Sequence, residues 1–598
     1  MLTTLTAPAF AGTWYIEDGD ITISAGKTEG TNKVTQGTTT DEEDTNTTIT
    51  NRDKDTPSSN TVTIKAENEN DKVEVKLEDV NIDASSRSEA AVSVTGKGDT
   101  TIELDGDNEL KSGAGHAGLE HNKTDTSGEL TIQDKDKNGS LEAAGGFKGA
   151  GIGSAGSNDA QVKITGGNIT ATSDDWGAGI GSGSYGTGTV EITGGEINAT
   201  GGYLGAGIGG GCNGSGNVTI SGGGITAAGG EGAAGIGGGY YNGATVTITG
   251  DAVIKNASTT VYGAGIGGGN GYDGDVTISG NAKIENATGG YGAAGIGGGA
   301  FSSPDKIGNG NVVIKDNAKI DNVQGGAYGA GIGGGIYGLS NVTIEGNTKV
   351  NATGGAGGAA IGGGAGAENN SDNNGNQITI KSNENGSPTI NAVGGGTDEG
   401  EEIVIGGAGI GAGCESDADA DITLEGKVTI TATAGKDNVA IGANGIEQEF
   451  SGLAEGSSIT RYDSEGNDTS LPGDKVPVTP VVPEDTSSGG SADASVQESV
   501  FPGLVVTDKD GQRISYTSIR GNNVLSIRVG RFTASLRASL ATLRQLRAEG
   551  IDTITFQTIL CSTTLSVDEL LAMGGEDAEV VLTHHIRSSA LTVGGKAV

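Results

Sequence analysis

GAGIGGGCNGSGNVTISGGGITAAGG, residues 205 to 230, is the stretch of sequence that decides the fold. It opens with the motif GAGIG, passes through a polar turn of Gly and Asn, and ends in two short apolar runs. In Val218-Thr219-Ile220 apolar and polar residues alternate, so the two apolar side chains point to one face of an extended chain. Short alternating runs bounded by glycine predict β-strands, and glycine interrupts every window long enough for a helix.

The central isoleucine of GAGIG, here called the anchor isoleucine, returns throughout the chain, mostly 28 to 31 residues apart. A unit of this length cannot bury its apolar face alone, but stacked copies place Val on Val and Ile on Ile. The repeat predicts an all-β, single-stranded parallel β-helix with three short strands in each coil. Its hand is expected to be right-handed, by the rule for parallel crossovers. The anchor isoleucines are Ile152, Ile180, Ile208, Ile236, Ile266, Ile296, Ile332, Ile361, Ile410 and Ile441.

The composition agrees with a narrow, extended core. Glycine contributes 114 of the 598 residues, while hydrophobic types reach 33 % and aromatic types 4 %. The formal charge of −40 argues against nucleic acid and against unaided binding of anionic lipid, since phosphate contacts need clustered Lys and Arg. No apolar run is long enough to predict a transmembrane segment.

Five segments are predicted along the chain. The A-x-A pattern at Ala9 and Ala11 is typical of a signal-peptide remnant cleaved after Ala11, so we expect a secreted protein. Nearly all the negative charge precedes residue 501, because residues 501 to 598 hold ten Lys or Arg and nine Asp or Glu. The segments are the remnant (1–11), irregular N-terminal coils with a cap (12–145), the glycine-rich β-helix (146–462), a Pro/Ser/Gly linker (463–500) and a small α/β domain (501–598).

In the last segment we expect strands at 503–507 and 524–529, followed by an amphipathic helix over 532–548. Phe532, Leu536, Leu540 and Leu543 would share one face of that helix. A shorter helix is expected after Ser566, because Glu569 stands in capping-box spacing from it.

Aromatic residues flank the anchor isoleucine on both sides and form two predicted columns. Rings repeated in every coil, about 4.8 Å apart, can stack on successive sugars, whose faces are apolar and whose edges form hydrogen bonds. The alternative is a self-stacking ladder that shields the turns. The residues are Trp176, Tyr203, Tyr262, Tyr291 and Tyr328 before the anchor, and Tyr185, Tyr240, Tyr241, Tyr272, Phe301 and Tyr337 after it.

Carboxylates near the turns are candidate ligands for Ca²⁺, which prefers oxygen donors. They are Asp174, Asp175, Asp273 and Asp275, with a further cluster at Asp398, Glu399, Glu401 and Glu402. No EF-hand or RTX loop is present, and an acidic surface exposed to solvent explains the same residues.

Catalysis has little support in the sequence. Residues 146 to 460 contain no Arg that could act as the base of a lyase. His116, in GAGHAGLEHN, is expected to replace the anchor isoleucine as a cap residue, with a general base as the alternative role. Cys212 and Cys414 are expected to be separate thiols because their repeats are too far apart for a disulfide.

Two stretches carry a resemblance to a known family: VSVTGKGDTTIELDGDNELKSGAGHAGLEHN (92–122) and the repeated GAGIGGG, VTISGG and ITA. The chain resembles glycine-rich secreted carbohydrate-binding-domain proteins of anaerobic Gram-positive bacteria. That resemblance implies a right-handed β-helix of the pectate-lyase type that binds polysaccharide, with Ca²⁺ as the expected cofactor, without catalysis. It covers residues 12 to 450 and transfers the fold better than the ligand.

The functional prediction is therefore a cell-surface or secreted polysaccharide-binding protein that uses one rim of the β-helix. The alternatives are a structural or adhesive stalk that presents the C-terminal domain, and a polysaccharide lyase.

Overall fold

The computed structural model describes residues 12–301, 306–369, 375–397, 405–477, 504–509, 511–514, 516–521, 523–529, 531, 533–558, 561–573, 578–585 and 588–597. The chain divides into two compact units between Val481 and Val482. The first unit is a solenoid of parallel strands, and the second is a small domain of sheets and helices. The all-β solenoid predicted from the repeat is confirmed.

Each regular coil contributes one strand to each of three parallel stacks in the described part of the solenoid. The anchor sheet contains Ile21–Ala25, Val62–Ala66, Val92–Gly96, Leu119–Lys123, Ile152–Gly153, Ile180–Gly181, Ile208–Gly209, Ile236–Gly237, Ile266–Gly267, Ile296–Gly297, Ile332–Gly333, Ile361–Gly362, Ile410–Gly411 and Ile441–Ala443.

The second sheet contains Thr13–Tyr15, Thr48–Thr50, Lys72–Glu78, Asp99–Asp105, Leu130–Gln133, Asp159–Ile164, Gly188–Ile192, Gly216–Ile220, Ala244–Ile248, Gly274–Ile278, Gly310–Ile314, Ser340–Glu345, Asn376–Lys381 and Ala420–Glu425. The third sheet contains Asn81–Asp83, Asp107–Lys111, Ser140–Gly145, Asn168–Ser173, Glu196–Thr200, Gly224–Ala228, Val253–Ser258, Lys283–Ile284, Ala287–Thr288, Lys319–Gln324, Lys349–Thr353, Thr389–Val393, Thr429–Thr433 and Ser458–Tyr462.

The core is a set of apolar columns that run along the solenoid. Val218 pairs with Val246 and Ile220 with Ile248, and all four side chains are buried. This register confirms the stacking that the repeat predicts. Each copy supplies the apolar neighbours that the next copy lacks, which is how a thin unit buries its residues.

The glycine after each anchor isoleucine lets neighbouring coils approach closely. From Gly153 to Gly411 this glycine has φ between +131° and +141°, a conformation that L side chains rarely adopt. A Cβ built there would lie 1.8 to 2.1 Å from the carbonyl oxygen of the same glycine in the next coil. The last glycine of the GAGIG motif is therefore required both by backbone conformation and by packing.

The N-terminal coils lack the GAGIG motif but continue the same sheets. Ile21–Ala25 pairs in parallel with Val62–Ala66, which pairs with Val92–Gly96. Residues 27 to 60 contain the hairpin strands Asn32–Gln36, which is antiparallel to Ile21–Ala25, and Thr39–Asp44, which is antiparallel to Asn32–Gln36. Ile16–Asp18 is a short 3-10 helix.

The first part of the predicted linker packs against the last coil. Arg461, with no exposed surface, donates to Asp474 at 2.9 Å and to Glu447 at 2.5 Å. Ser458 and Tyr462 form bridges to Lys475 and Asp468. The prediction of a linker from residue 463 is thus wrong for residues 463 to 477. The buried charge of Arg461 needs partners, and Asp474 in this segment is one of them. Residues 478 to 500 lie outside the described residues, as does the signal-peptide remnant.

The same corner closes the anchor sheet. Both carboxylate oxygens of Glu447 accept backbone hydrogen bonds, from Ala440 at 2.7 Å and from Ile441 at 3.2 Å. Glu447 belongs to Ile446–Glu447, a strand that pairs antiparallel with Ile441–Ala443. The carboxylate thus takes up N–H groups that no further coil would satisfy.

The second unit contains two sheets. One is formed by Leu504–Thr507, Ala534–Ser539, Glu579–His585, Ser588–Val593 and Lys596–Ala597, the other by Thr517–Gly521, Val524–Arg528, Thr553–Gln557 and Ser562–Ser566. Its helices are Leu540–Ala548 and Val567–Ala572, and the expected capping at Ser566 is present.

The helix predicted over 532–548 is wrong in its first half. Ala534, Leu536 and Ala538 are buried in alternation, as in a strand, and Leu536 pairs with Leu582. The Ser539 hydroxyl accepts a hydrogen bond from the Thr542 N–H and begins the helix at Leu540. A spacing of four residues between leucines fits the period of a strand as well as that of a helix. The sequence therefore did not distinguish a strand from a helix here. Phe532 lies outside the described residues.

Neither α-helix in the described part of the chain has the length and apolar character needed to cross a membrane.

Candidate functional site

The turns before and after the anchor strand meet at one corner of the solenoid. The N–H of Cys212 donates to the carbonyl of Trp176 at 2.7 Å, and that of Ala300 donates to Tyr262 at 2.7 Å. The two predicted aromatic columns therefore lie side by side, and we call this corner the aromatic rim. Five of its tyrosines have a left-handed φ between +59° and +72°, namely Tyr185, Tyr241, Tyr262, Tyr328 and Tyr337.

The first cluster of the aromatic rim contains Phe147, which the sequence analysis did not include, and Trp176. Their ring centroids are 5.3 Å apart and tilted by 46°. The ammonium group of Lys148 lies 4.8 Å from the Trp176 ring and 5.3 Å from the Phe147 ring. A cation therefore covers part of both ring faces.

A second cluster contains Tyr240, Tyr241 and Phe301. The rings of Tyr240 and Tyr241 are 3.9 Å apart, and Tyr241 lies 5.9 Å from Phe301. Lys306 lies 4.5 Å from the Tyr241 ring and donates to the Tyr272 hydroxyl at 3.4 Å. Burial and the hydrogen bond to Tyr241 raise the pKa of Tyr240 far above its usual range.

A third cluster is a ladder of edge-on contacts. Tyr291 lies 6.2 Å from Tyr262 and 5.6 Å from Tyr328, with near-perpendicular planes. Most of the predicted rings thus contact one another, which favours the self-stacking alternative for these clusters.

Two tyrosines keep most of their surface open. Tyr185 is 58 % exposed and Tyr203 is 55 % exposed. A hydrogen bond to Glu231 raises the pKa of Tyr203. Tyr337 is half-buried, and a side chain at Gly366 would collide with its ring.

Beside the rim, a groove of about 670 Å³ runs across several coils. Two columns of equivalent residues form its floor: Gly216 is in register with Ala244, and Asn217 is in register with Thr245 and Asp275. The groove is lined by Thr187, Ser215, Gly216, Asn217, Asn242, Gly243, Ala244, Thr245, Gly271, Tyr272, Asp273, Asp275 and Ile307. It brings together Tyr272, Asp273 and Asp275, which the sequence predicted separately as sugar-binding and metal-binding residues.

Hydroxyl and amide groups occupy one end of the groove and carboxylates the other. The hydroxyls of Thr187 and Ser215 lie 3.2 Å apart. Asp273 accepts from the Asn309 N–H at 2.7 Å, and Asp275 accepts from the Asn311 amide at 2.7 Å. Loss of water around its carboxyl and the charge of Asp275 raise the pKa of Asp273.

The other predicted metal ligands are not part of the groove lining. Asp174 and Asp175 immediately precede Trp176, in the turn before the anchor strand. Calcium binding by Asp174, Asp175, Asp273 and Asp275 stays a prediction. The cluster from Asp398 to Glu402 lies outside the described residues.

Among the described residues, three carboxylates that the sequence analysis did not include come within 4.8 Å of one another: Glu103, Asp134 and Asp136. Lys135 lies 3.4 Å from Glu103 and supplies a counter-charge. The pairing of Thr100–Glu103 with Leu130–Gln133 brings Glu103 near this turn, and sequence spacing alone does not show that contact.

His116 does not replace an anchor isoleucine, because Leu119 pairs with Ile152 in the anchor sheet. The Nδ1 atom of His116 lies 2.8 Å from the carboxylate of Glu120, which is almost fully buried and also accepts from the Ala117 N–H at 3.1 Å. In the next coil the equivalent N–H, that of Ala150, donates to the Ser154 carbonyl at 3.1 Å. Glu120 therefore closes the turn that a backbone carbonyl closes elsewhere. The strand Leu119–Lys123 pairs with Val92–Gly96 on one side and with Ile152–Gly153 on the other, so the prediction that His116 is a cap residue is wrong.

The expectation of separate thiols is confirmed, since Cys212 and Cys414 are buried and free. Burial raises the pKa of Cys414 to about 11 and also raises that of Cys212. Both thiols are protonated at neutral pH and act as small apolar side chains.

The Beta helix repeat family matches the chain at residues 162–184, 190–212, 218–240 and 276–300. These ranges fall on the regular coils whose strands pair in register. The chain is a parallel β-helix protein. No curated protein and no solved structure matches it significantly.

In this β-helix the groove-lining residues lie in the stretches between and after the matched ranges. Thr187 lies between the first two matched ranges, and Ser215 lies between the second and the third. The groove is thus formed by the turns and strand edges of consecutive repeats, and not by a separate insertion alone.

Proposed function

We propose that this β-helix is a non-catalytic polysaccharide-binding protein that holds a linear glycan in the groove beside the aromatic rim. The observation that carries the proposal is the convergence of Tyr272 with stacked hydroxyl, amide and carboxylate groups in one groove of about 670 Å³. Few well-placed polar groups next to an aromatic wall are typical of small-ligand and sugar sites.

The spacing of the groove matches a chain of sugars. Thr187, Ser215, Gly243 and Asp273 come from four successive coils, so the groove covers three steps of about 4.8 Å, or about 14 Å. One sugar ring is close in length to one step. A linear glycan along the solenoid axis would therefore meet an equivalent set of groups at each sugar, with its apolar face against Tyr272.

The resemblance of residues 12 to 450 to secreted carbohydrate-binding-domain proteins supports the same ligand class. The proposal places the protein outside the cell, either secreted or on the cell surface, and includes assistance from Ca²⁺. Recovery of the chain in the medium with an N-terminus at residue 12 would support export, whereas retention of residues 1 to 11 on a cytoplasmic product would oppose it.

The second candidate function is a stalk that presents the C-terminal unit. The observation that favours it is the separate core of that unit, which includes Leu536, Leu543 and Phe556. A stalk needs no glycan, so the two functions differ in what the solenoid binds.

The test is affinity electrophoresis of the whole chain in gels that contain cellulose derivatives, pectin or host glycans. We expect retardation by at least one glycan. It should weaken about tenfold in Tyr272→Ala, because loss of an aromatic contact of this kind costs about 1 kcal/mol beyond the buried area. Tyr337→Ala is the matched control, since Tyr337 occupies an equivalent turn in a later coil but does not line the groove.

A second pair of variants tests the floor of the groove. Asn217 and Asn341 occupy the same outward column of the second sheet, and both are exposed. Only Asn217 lines the groove, so Asn217→Ala should weaken retardation and Asn341→Ala should not. Retardation by no glycan would favour the stalk.

Chelator and product assays complete the test. Loss of retardation with chelator would support calcium assistance, and unchanged retardation would end that part of the proposal. Ultraviolet absorbance from an unsaturated uronate, released from pectin by the chain, would show a lyase and contradict the non-catalytic proposal.

A further inference from the structure

The charges in the groove are uneven. Thr187 and Ser215 offer hydroxyls at one end, while Asp273 and Asp275 lie together in the last of the four coils. Asp275 lies in the strand Gly274–Ile278, Asp273 immediately precedes that strand, and both residues are exposed.

Among the described residues, no Lys, Arg or His forms an ion pair with either aspartate. Their partners are the Asn309 N–H and the Asn311 amide, which are neutral donors. The nearby amine of Lys306 lies over the rings of Tyr241 and Tyr272, at 4.5 and 5.1 Å from their centroids. Neither aspartate therefore has an ion-pair partner among the described residues.

The negative electrostatic potential of Asp273 and Asp275 disfavours a polyuronate and favours a positively charged ligand. The repulsion is reinforced by the chain as a whole, whose formal charge is −40. Calcium could reverse the preference, but Ca²⁺ takes six to eight oxygen ligands. The group of three carboxylates within metal-binding reach in the described residues is Glu103, Asp134 and Asp136, which do not line the groove.

We propose that the groove selects glycans with free amino groups, that is, polymers of a deacetylated amino sugar. This inference rests on the proposed function. An ammonium group of one sugar lies between the carboxylates of Asp273 and Asp275, a sugar face packs on Tyr272, and the remaining sugars meet the hydroxyl and amide columns.

The experiment is isothermal titration calorimetry of the whole chain with four tetrasaccharides, each joined by β-1,4 or α-1,4 linkages. They are the tetramers of glucosamine, of N-acetylglucosamine, of glucose and of galacturonate. We expect the glucosamine tetramer to bind at least fivefold more tightly than the glucose tetramer, with one site per chain. Acetylation removes the charge and should remove this advantage. Raising the salt concentration should reduce it too, because salt screens exposed charges.

Asp273→Asn and Asp275→Asn keep the shape of the side chain and remove one charge each. Each should weaken glucosamine binding about fivefold, the upper range for one exposed ion pair, and weaken glucose binding less, so that the preference for glucosamine falls. Asp421→Asn is the matched control. Asp421 is exposed on the same outward column of the second sheet as Asp275, but it does not line the groove.

The outcomes separate the two proposals. If glucose binds as tightly as glucosamine, the groove binds glycans but the charge selection is wrong. If no tetramer binds, the proposed function fails as well. If Asp421→Asn weakens glucosamine binding as much as Asp275→Asn, or several tetramers bind per chain, the attraction is a general effect of the acidic surface and the inference is overturned. Galacturonate binding that requires calcium would also overturn it.

Discussion

Gly237→Ala tests the close approach of neighbouring coils. Gly237 follows the anchor isoleucine Ile236 and has φ of +140°. An added Cβ would lie 2.0 Å from the carbonyl oxygen of Gly267, whereas 3.4 Å is the lower limit of ordinary contact. That oxygen already accepts a hydrogen bond from the Gly238 N–H at 3.0 Å. The two coils must separate by more than an ångström, or Gly237 must change conformation, and either change disrupts this hydrogen bond.

The cost combines two effects. A side chain in a backbone region that is essentially restricted to glycine costs about 1 to 3 kcal/mol. Overpacking against a backbone atom adds about 1 to 3 kcal/mol. We therefore expect Gly237→Ala to lower the free energy of unfolding of the solenoid by about 4 kcal/mol. Since each coil contacts only its neighbours, the loss of stability should be concentrated in the two coils that contain Ile236 and Ile266.

Guanidinium unfolding followed by far-ultraviolet circular dichroism measures the loss, and hydrogen exchange with mass spectrometry locates it. Two controls separate the causes. Gly115 has φ of +88° and nothing near the added Cβ, so Gly115→Ala should cost about 1 kcal/mol from conformation alone. Gly396 has neither constraint, and Gly396→Ala should stay within about 0.5 kcal/mol of the parent. If Gly237→Ala unfolds at the same denaturant concentration as Gly396→Ala, the packing argument is wrong.

Two further predictions concern buried ionisable side chains of the solenoid. Arg461→Met leaves the buried carboxylate of Asp474 without its partner and should destabilise the last coil by about 3 to 5 kcal/mol, seen as faster hydrogen exchange in residues 441 to 477. Arg52→Met removes an exposed ion pair and should cost less than about 1 kcal/mol, so equal losses in both variants would contradict the role of burial. Burial lowers the pKa of His121, whose Nδ1 lies 3.0 Å from the Gln161 carbonyl. Because its folded pKa is below the unfolded value of about 6.5, stability should fall as the pH drops through and below 6.5. Urea unfolding on both sides of that pH should show a shallower dependence in His121→Gln, and an unchanged slope would refute the assignment.

The repeat made the columns of the core predictable. The alternation in Val218-Thr219-Ile220 fixes which side chains are buried, and the regular spacing fixes which copies stack, so no distant contact is needed to infer them. The aromatic columns were predictable for the same reason. Their clustering was not, because ring contacts depend on rotamers and on Lys148 and Lys306, which the repeat pattern does not place.

The errors fall where the repeat ends. Residues 463 to 477 read as linker from their Pro and Ser content, yet they pack on the last coil because Arg461 is buried there and requires Asp474. Residues 534 to 539 read as helix because the four-residue spacing of Leu536 and Leu540 fits both periods, and pairing with Glu579–His585 made them a strand. Local pattern gives no information about such distant partners.

The sequence by itself determined that this chain is a parallel β-helix and which residues face its core, because a repeat that stacks on itself specifies its own neighbours. Only the tertiary structure decided that Thr187, Ser215, Tyr272, Asp273 and Asp275 share one groove and that the two aspartates stand there without a counter-ion among the described residues. A groove is the space between a turn and a sheet, and its shape depends on how far each turn extends from the coil. That distance is set by packing between coils, which no single repeat contains.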